Sequence, residues 1–180
     1  MRQLNFTKTS NDTNTSTIED HQYLVFTLGQ ESFAIGILHV KEIIEYGQLT
    51  EVPMMPEVVR GVINLRGSVV PVVDLSIRFW KRPLQMGRRS CIVIVELAWE
   101  DGKRTMGIMV DSVNKVADIP ENDIEPPPSF GSKIRTDFID GMAKLDSRFV
   151  IILNANRVLS LDELTAVANH GELSPGVEPA

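Results

Sequence analysis

Apolar residues in this chain come in short runs broken by Gly, Pro and charged positions, which is the pattern of many small strands. Tyr23-Leu24-Val25-Phe26-Thr27-Leu28 is β-rich, Gly29-Gln30-Glu31 turns, and Ser32 to Ile35 returns, so a hairpin is predicted there. Ile37, Val40 and Ile44 then fall three and four apart, which predicts a short helix around Leu38–Ile43, with a bent strand as the alternative. Val52 to Pro56 must be extended or turned, because residues before proline avoid the helical region, and Pro56 can open one helical turn through Val59. Gly61 to Leu65 reads as a strand, Arg66-Gly67 as a tight turn, and Val69 to Leu75 as the return strand. Pro71 inside that strand points to a sheet edge or a bulge. Cys91 to Leu97 and Met106 to Val110 flank a turn at Glu100-Asp101-Gly102-Lys103. Ile119 to Phe130 is a proline-rich loop, and Phe138 to Leu145 with Phe149 to Leu153 forms a last hairpin around Asp146-Ser147. A final helix is expected from an N-cap at Ser160, with Glu163 completing a capping box and Leu161, Leu164 and Ala168 on its apolar face.

The pattern repeats. Gly61 to Asp74 aligns without gaps on Gly141 to Asn154, matching Gly61 with Gly141, Leu65 with Leu145 and Val70 with Val150. Ala34-Ile35-Gly36-Ile37 to Val40 likewise matches Gly107-Ile108-Met109-Val110 to Val113. Paired hairpins in the same order suggest two related units. The expected fold is therefore mainly β: two SH3-like five-stranded β-barrel subdomains with short helices and a C-terminal helix. The expected organisation is a flexible polar leader over 1–21, one domain over 22–166 and a flexible tail over 167–180. Subdomain one covers about 22–82 and subdomain two about 83–166, divided in the polar stretch 81–90.

Composition narrows the function. The net charge of −6 and the absence of a basic run longer than Arg88-Arg89 argue against nucleic acid and anionic membrane as main partners. A single cysteine, Cys91, excludes an internal disulfide, and no signal-like or membrane-spanning apolar run is present, so a cytoplasmic location is expected. The three histidines do not assemble a catalytic or metal-binding spacing, and no phosphate-cradling or nucleophile motif follows any strand. Neither enzymatic activity nor a cofactor or metal is expected. Two other readings stay open: a small-molecule site in a cleft between the halves, and single-stranded nucleic acid on a barrel face.

One stretch is distinctive. Val52-Pro53-Met54-Met55-Pro56 leads into Gly61-Val62-Ile63-Asn64-Leu65-Arg66-Gly67 and then Pro71-Val72-Val73-Asp74-Leu75. Phe33-Ala34-Ile35, Val40-Lys41-Glu42-Ile43, Gly107 to Val113, Ile124 to Pro128 and Ile139-Asp140-Gly141 follow in the same order as in the CheW-like family, which the chain resembles from about Gln22 to Leu164. That resemblance implies two intertwined barrels without a catalytic site. It implies a chemotaxis adaptor that joins the cytoplasmic tip of methyl-accepting chemoreceptors to the regulatory domain of the chemotaxis histidine kinase, recruited to membrane-bound receptor arrays. It also makes ring-type contacts between copies conceivable, without direct membrane insertion. No receiver domain follows residue 164, so the chain looks like the free-standing coupling protein. Carried over by motif, the receptor-binding residues are Val40, Glu42, Arg66, Ile92 and Val116. Glu42 and Arg66 could equally pair with each other. The kinase-binding residues are Glu125 and Phe130, where acidic Glu125 stands at a position that can be basic in relatives.

Overall fold

The hairpin signals fold as expected, but the strands they supply are shared between two sheets in a way the chain order hides. The protein is described here by a computed structural model over residues 20–127 and 136–160. The strands are β1 (Gln22–Leu28), β2 (Glu31–Gly36), β3 (Val40–Glu45), β4 (Val59–Leu65) and β5 (Ser68–Val73), then β6 (Cys91–Trp99), β7 (Gly102–Val110), β8 (Ser112–Asp118), β9 (Ile139–Leu145) and β10 (Arg148–Leu153). Two short helices follow hairpins: α1 (Leu75–Trp80) after β5 and α2 (Ala155–Val158) after β10. The first sheet has the order β8-β1-β2-β10-β9 and the second β3-β6-β7-β5-β4. Each sheet therefore draws strands from both sides of the 81–90 stretch, and that stretch divides the chain without dividing the sheets.

The two orders are the same order twice. β8, β1, β2, β10 and β9 correspond to β3, β6, β7, β5 and β4, and the register agrees residue by residue. Val72 lies opposite Gly107 in the parallel β5–β7 pair, and Ile152 opposite Ala34 in the parallel β10–β2 pair, as the two sequence alignments require. Val40 lies opposite Val95, and Val113 opposite Phe26. The repeat thus extends to a pair of strands, β3 and β8, that sequence patterning did not match along their length.

Several local expectations are corrected. The helical spacing after Ile37 yields only a 3₁₀ turn, Ile37–His39, and then strand β3, so the bent-strand alternative holds. Pairing with β6 overrides the local pattern here, because a strand edge gains a whole ladder of hydrogen bonds. Pro56 makes a turn and not a helix: its carbonyl accepts from the Val59 N–H at 2.9 Å, and β4 begins there. β8 is an additional strand, hidden by the polar run Asn114-Lys115. Pro71 is tolerated inside the second sheet for a specific reason. Val62, its cross-strand partner, spends both backbone groups on Thr50, so the Pro71 nitrogen faces away from β4, and the β7 ladder starts only at Val72. The expected helix from Ser160 lies outside the described residues, as do most of the leader and the tail.

Each sheet curls until its outer strands meet a crossing segment. Thr50, just past β3, exchanges two backbone hydrogen bonds with Val62 of β4, and Glu125, just past β8, does the same with Met142 of β9. The crossing chain passes so close that a Cβ on Gly61 would stand 2.6 Å from the Thr50 carbonyl oxygen, and one on Gly141 would stand 2.8 Å from that of Glu125. This is why both copies of the repeat open on glycine. The result is two nearly closed barrels.

The halves are locked by reciprocal packing. Leu24, Phe26 and Leu28 of β1 and Phe33 and Ile35 of β2 face the large core shared with β6 and β7. Val25 and Ala34 face a smaller cluster with Ala117, Ala143, Val150 and Ile152. Burial on both faces explains why these strands read as unbroken apolar runs. Phe79 of α1 stacks on Phe33 with ring centroids 5.6 Å apart, while Ala155 and Val158 of α2 sit in the shared core and α2 rests against β6. Each half thus lends its helix to the other.

Candidate functional site

The repeat hairpins end in caps built from the same position. Asp74 accepts from the Ser76 N–H at 2.9 Å and starts α1; Asn154 accepts from the Arg157 N–H at 3.1 Å and starts α2. Asp74 is fully buried and also accepts from the Leu84 N–H at 2.8 Å and from Arg60 Nη1 at 3.2 Å, so one carboxylate holds the helix, the following loop and β4 together. These are structural duties. Among the described residues no group of three metal-ligating side chains exists, and no helix is long and apolar enough to cross a membrane. A shallow hollow of about 240 Å³ lies beside Tyr23, His39, Asp140 and Asn154. It is polar and open, and nothing in it pairs a nucleophile with a base.

The surface is more informative. The β4–β5 turn puts Arg66 and Gly67 at φ 51° and 86°, and the β9–β10 turn puts Asp146 and Ser147 at 49° and 67°, so both are two-residue turns of the mirror-image type that matches strand twist. In the first turn the Gly67 N–H also donates to Asn64 Oδ1 at 2.8 Å. Arg66 thereby projects toward β3, where its guanidinium donates to Glu42 Oε2 at 2.9 Å. In the other half Lys115 of β8 donates to Asp146. Glu42 and Lys115 are equivalent positions, and so are Arg66 and Asp146. Each barrel therefore carries an ion pair across its two outer strands, and the polarity is inverted between halves: acid on the strand and base on the turn in one, base on the strand and acid on the turn in the other. Hydrogen bonding to Lys115, with its charge, holds the Asp146 carboxyl below the ordinary carboxylate range. The other oxygen of Glu42, Oε1, is buried.

Large apolar side chains are exposed at equivalent positions of the two halves. Val69 is 71% exposed and Phe149, its equivalent, 59%. Ile43 and its equivalent Val116 are also exposed, on the open edge strands β3 and β8. A large exposed apolar side chain repeated at the same place in both halves marks a contact surface more strongly than a scattered one.

The residues singled out from sequence are distributed over these features. Glu42 and Arg66 are brought together, paired with each other. Val40 is half-buried and packs on the shared core; a register shift sets it opposite Val95 while Glu42 is opposite Ile94, so the two lie on opposite faces of β3. Ile92 is a correction: at 1% exposure, opposite Ile44 and Met109, it is a core residue and cannot line a surface groove. Its burial follows from a strand paired on both sides within a two-layer core. Val116 is exposed but on the first sheet, beside Lys115 and not beside Arg66. Glu125 has its backbone engaged with Met142 and its side chain exposed, and Phe130 lies outside the described residues. Sequence reasoning missed Lys115, Asp146, Ile43, Val69 and Phe149. Asp146, Val69 and Phe149 already lie inside the repeat of Gly61–Asp74 on Gly141–Asn154, and extending it by one more strand, Val40–Ile44 onto Val113–Ala117, matches Lys115 with Glu42 and Val116 with Ile43.

Comparison with known proteins completes the description. The sequence profile of the CheW-like domain matches residues 22–163. The chemotaxis protein CheW of Klebsiella aerogenes is 33% identical over 148 residues, which cover 82% of this chain and 87% of that protein. The protein of the same name from Bacillus subtilis is 33% identical over 136 residues, covering 76% and 85%. The crystal structure of the scaffolding protein TtCheW from Thermoanaerobacter tengcongensis matches with a TM-score of 0.69 and 36% identity over 77% of this chain and 87% of that one.

Proposed function

The chain belongs to the CheW-like domain family, and from that membership we propose that it is a chemotaxis adaptor, coupling methyl-accepting chemoreceptors to the chemotaxis histidine kinase by binding alone. The reading assigns it no catalytic step and no cofactor, and places it in the cytoplasm, recruited to receptor arrays. The observation that carries it is the duplicated ion pair, Glu42–Arg66 in one barrel and Lys115–Asp146 at the equivalent place in the other, with the polarity inverted. A bridge needs two surfaces, and this fold supplies two of one design with opposite polarity.

Receptor helices would lay apolar side chains beside Val40 and against Val116, with Glu42 and Arg66 supplying the polar contact. The kinase regulatory domain would meet the loop through Glu125 and Phe130. Affinity need not be high, because an array multiplies weak contacts through effective concentration. Coupling then consists of holding receptor and kinase in a geometry that biases the kinase equilibrium.

The test is a pull-down of the purified chain against the kinase regulatory domain and a receptor-tip fragment, with Arg66→Ala alongside. Binding of the parent to both baits and loss of one by the variant, at an unchanged melting temperature, supports the reading. A folded protein that binds neither bait removes it.

A further inference from the structure

The hollow beside Tyr23 and Asp140 serves none of the contacts assigned so far. It is a cleft between the halves: Tyr23 and the 3₁₀ turn Ile37–His39 come from the first half of the chain, and Asp140, Asn154 and the start of α2 from the second. Seams between packed units are favoured places for small ligands. The volume of about 240 Å³ equals that of about eight waters at ~30 Å³ each. A ligand of a similar number of non-hydrogen atoms fits it.

The lining combines apolar and anionic groups. Leu153 and Ala155 are buried and give an apolar floor, while Leu38 is 59% exposed and gives an apolar rim. The His39 ring lies over Gly36, where a Cβ would stand 3.5 Å from its Cδ2, and offers a planar surface of the kind on which a guanidinium stacks. Charge comes from Asp20 and Asp140. Asp140 is fixed in place: Asn154 Nδ2 donates to its Oδ1 at 3.0 Å, and Asn154 is itself held by the Arg157 N–H, which donates to its Oδ1 at 3.1 Å. The field of these carboxylates is felt inside the hollow, where burial first, and then Asp140, Glu121 and Asp20, push the Tyr23 hydroxyl pKa up. Among the described residues no lysine or arginine lines the hollow, and neither aspartate is in an ion pair.

We propose that this hollow binds a small organic cation, an ammonium or guanidinium group on a short aliphatic stem. The head sits between Asp20 and Asp140, and the stem lies on Leu38 and Leu153. An anion would meet two carboxylates without a compensating base. A bare metal ion suits the site less well: among the described residues no group of three ligating side chains exists, and hard cations such as calcium take about six or more oxygens. The inference does not rest on the adaptor reading, because the ligand needs neither receptor nor kinase to bind.

Nitrogen-15 NMR titration of the full chain tests it, with agmatine and n-butylammonium as cations and butyrate as an anion of the same stem. The expected result is saturable shifts confined to the backbone around Gly36–His39 and Asn154–Asn156, with a Kd of about 1 mM or tighter for agmatine and no such shifts with butyrate. Asp140→Asn keeps an acceptor for Asn154, and Asp20→Asn lies before β1 and leaves the barrels untouched. Each should weaken agmatine by roughly fivefold or more, and Asp20→Asn decides alone if the other does not fold. A free amine and the side chain of a peptide lysine or arginine share this chemistry, and a capped Gly-Arg-Gly peptide separates them. Binding of the peptide as tight as that of agmatine supports a side chain as ligand; binding of agmatine alone supports a free molecule. Shifts that are absent, fail to saturate or scatter over the surface overturn the proposal. So does butyrate binding as tightly as the cations, or equal agmatine affinity in the parent and the folded variants.

Discussion

The two barrels share an architecture but not a distribution of stress. In the second-sheet half the turn is Arg66-Gly67, the cap is a buried carboxylate with three partners, and the crossing segment meets Gly61 with its backbone. In the first-sheet half the turn is Asp146-Ser147, the cap is Asn154 with two partners, and the closest neighbour of a Cβ on Gly141 is the Ile124 side chain at 2.4 Å. The same geometry is thus held by a buried charge network on one side and by neutral or exposed groups on the other. The difference shows which features the fold demands, a two-residue turn, a glycine and a cap, and which it leaves free to vary, namely charge and polarity.

Removing the caps should separate the halves most sharply. Asp74→Ala strips a buried N–H of Leu84 and one of Ser76 of their acceptor and is expected to cost about 3–5 kcal/mol. Asn154→Ala is expected to cost about 1 kcal/mol, and chemical denaturation of both variants measures the contrast. Equal losses would mean that the loop and Arg60 contacts of Asp74 add nothing. Next come the glycines. Gly61→Ala and Gly141→Ala should each destabilise by roughly 1–3 kcal/mol, with Gly61→Ala the worse because backbone yields less readily than a side chain. A tolerated Gly61→Ala would place the crossing segment further out than described.

The ion pairs should matter to binding and hardly to stability, since exposed pairs contribute little. Exchanging the first pair, Glu42→Lys with Arg66→Asp, gives that barrel the polarity of the other. The melting temperature should stay close to that of the parent while receptor-tip or kinase binding falls; unchanged binding would show that polarity does not distinguish the faces. The smallest effect concerns acid. The Asp146 carboxyl is depressed in the folded state, so its stabilising contribution is complete above the unfolded pKa, near pH 4, and fades as pH falls through the lower folded value. Lys115→Met should remove that component, so parent and variant stability curves should converge toward acid pH. Curves that stay parallel would show that the pair contributes nothing measurable.

Legibility from sequence followed the strength of the local signal. The hairpins at Tyr23–Ile35, Gly61–Val73, Cys91–Val110 and Ile139–Leu153 were readable because apolar runs on both sides of a Gly, Asp or Asn turn leave few alternatives. α1 was not, because Leu75 to Trp80 is only six residues and continues an apolar strand without a break. The Glu42–Arg66 pair was foreseeable as one of two options. Its inverted twin was not read, since Lys115 and Asp146 belong to no motif and only the match of β3 to β8 makes Lys115 the equivalent of Glu42.

By itself the sequence determined the number and order of the hairpins, the existence of a repeat, the family and the absence of recognisable catalytic spacing. These are properties of local pattern and short motif, and they survive without knowing what each strand touches. Only the tertiary structure decided how strands from both halves are dealt between two sheets, that Ile92 is core while Val116 is surface, and that the two ion pairs are equivalent with reversed sign. Those outcomes depend on pairing between segments far apart in the chain, where the free energy comes from shared ladders and shared cores and no local preference records it.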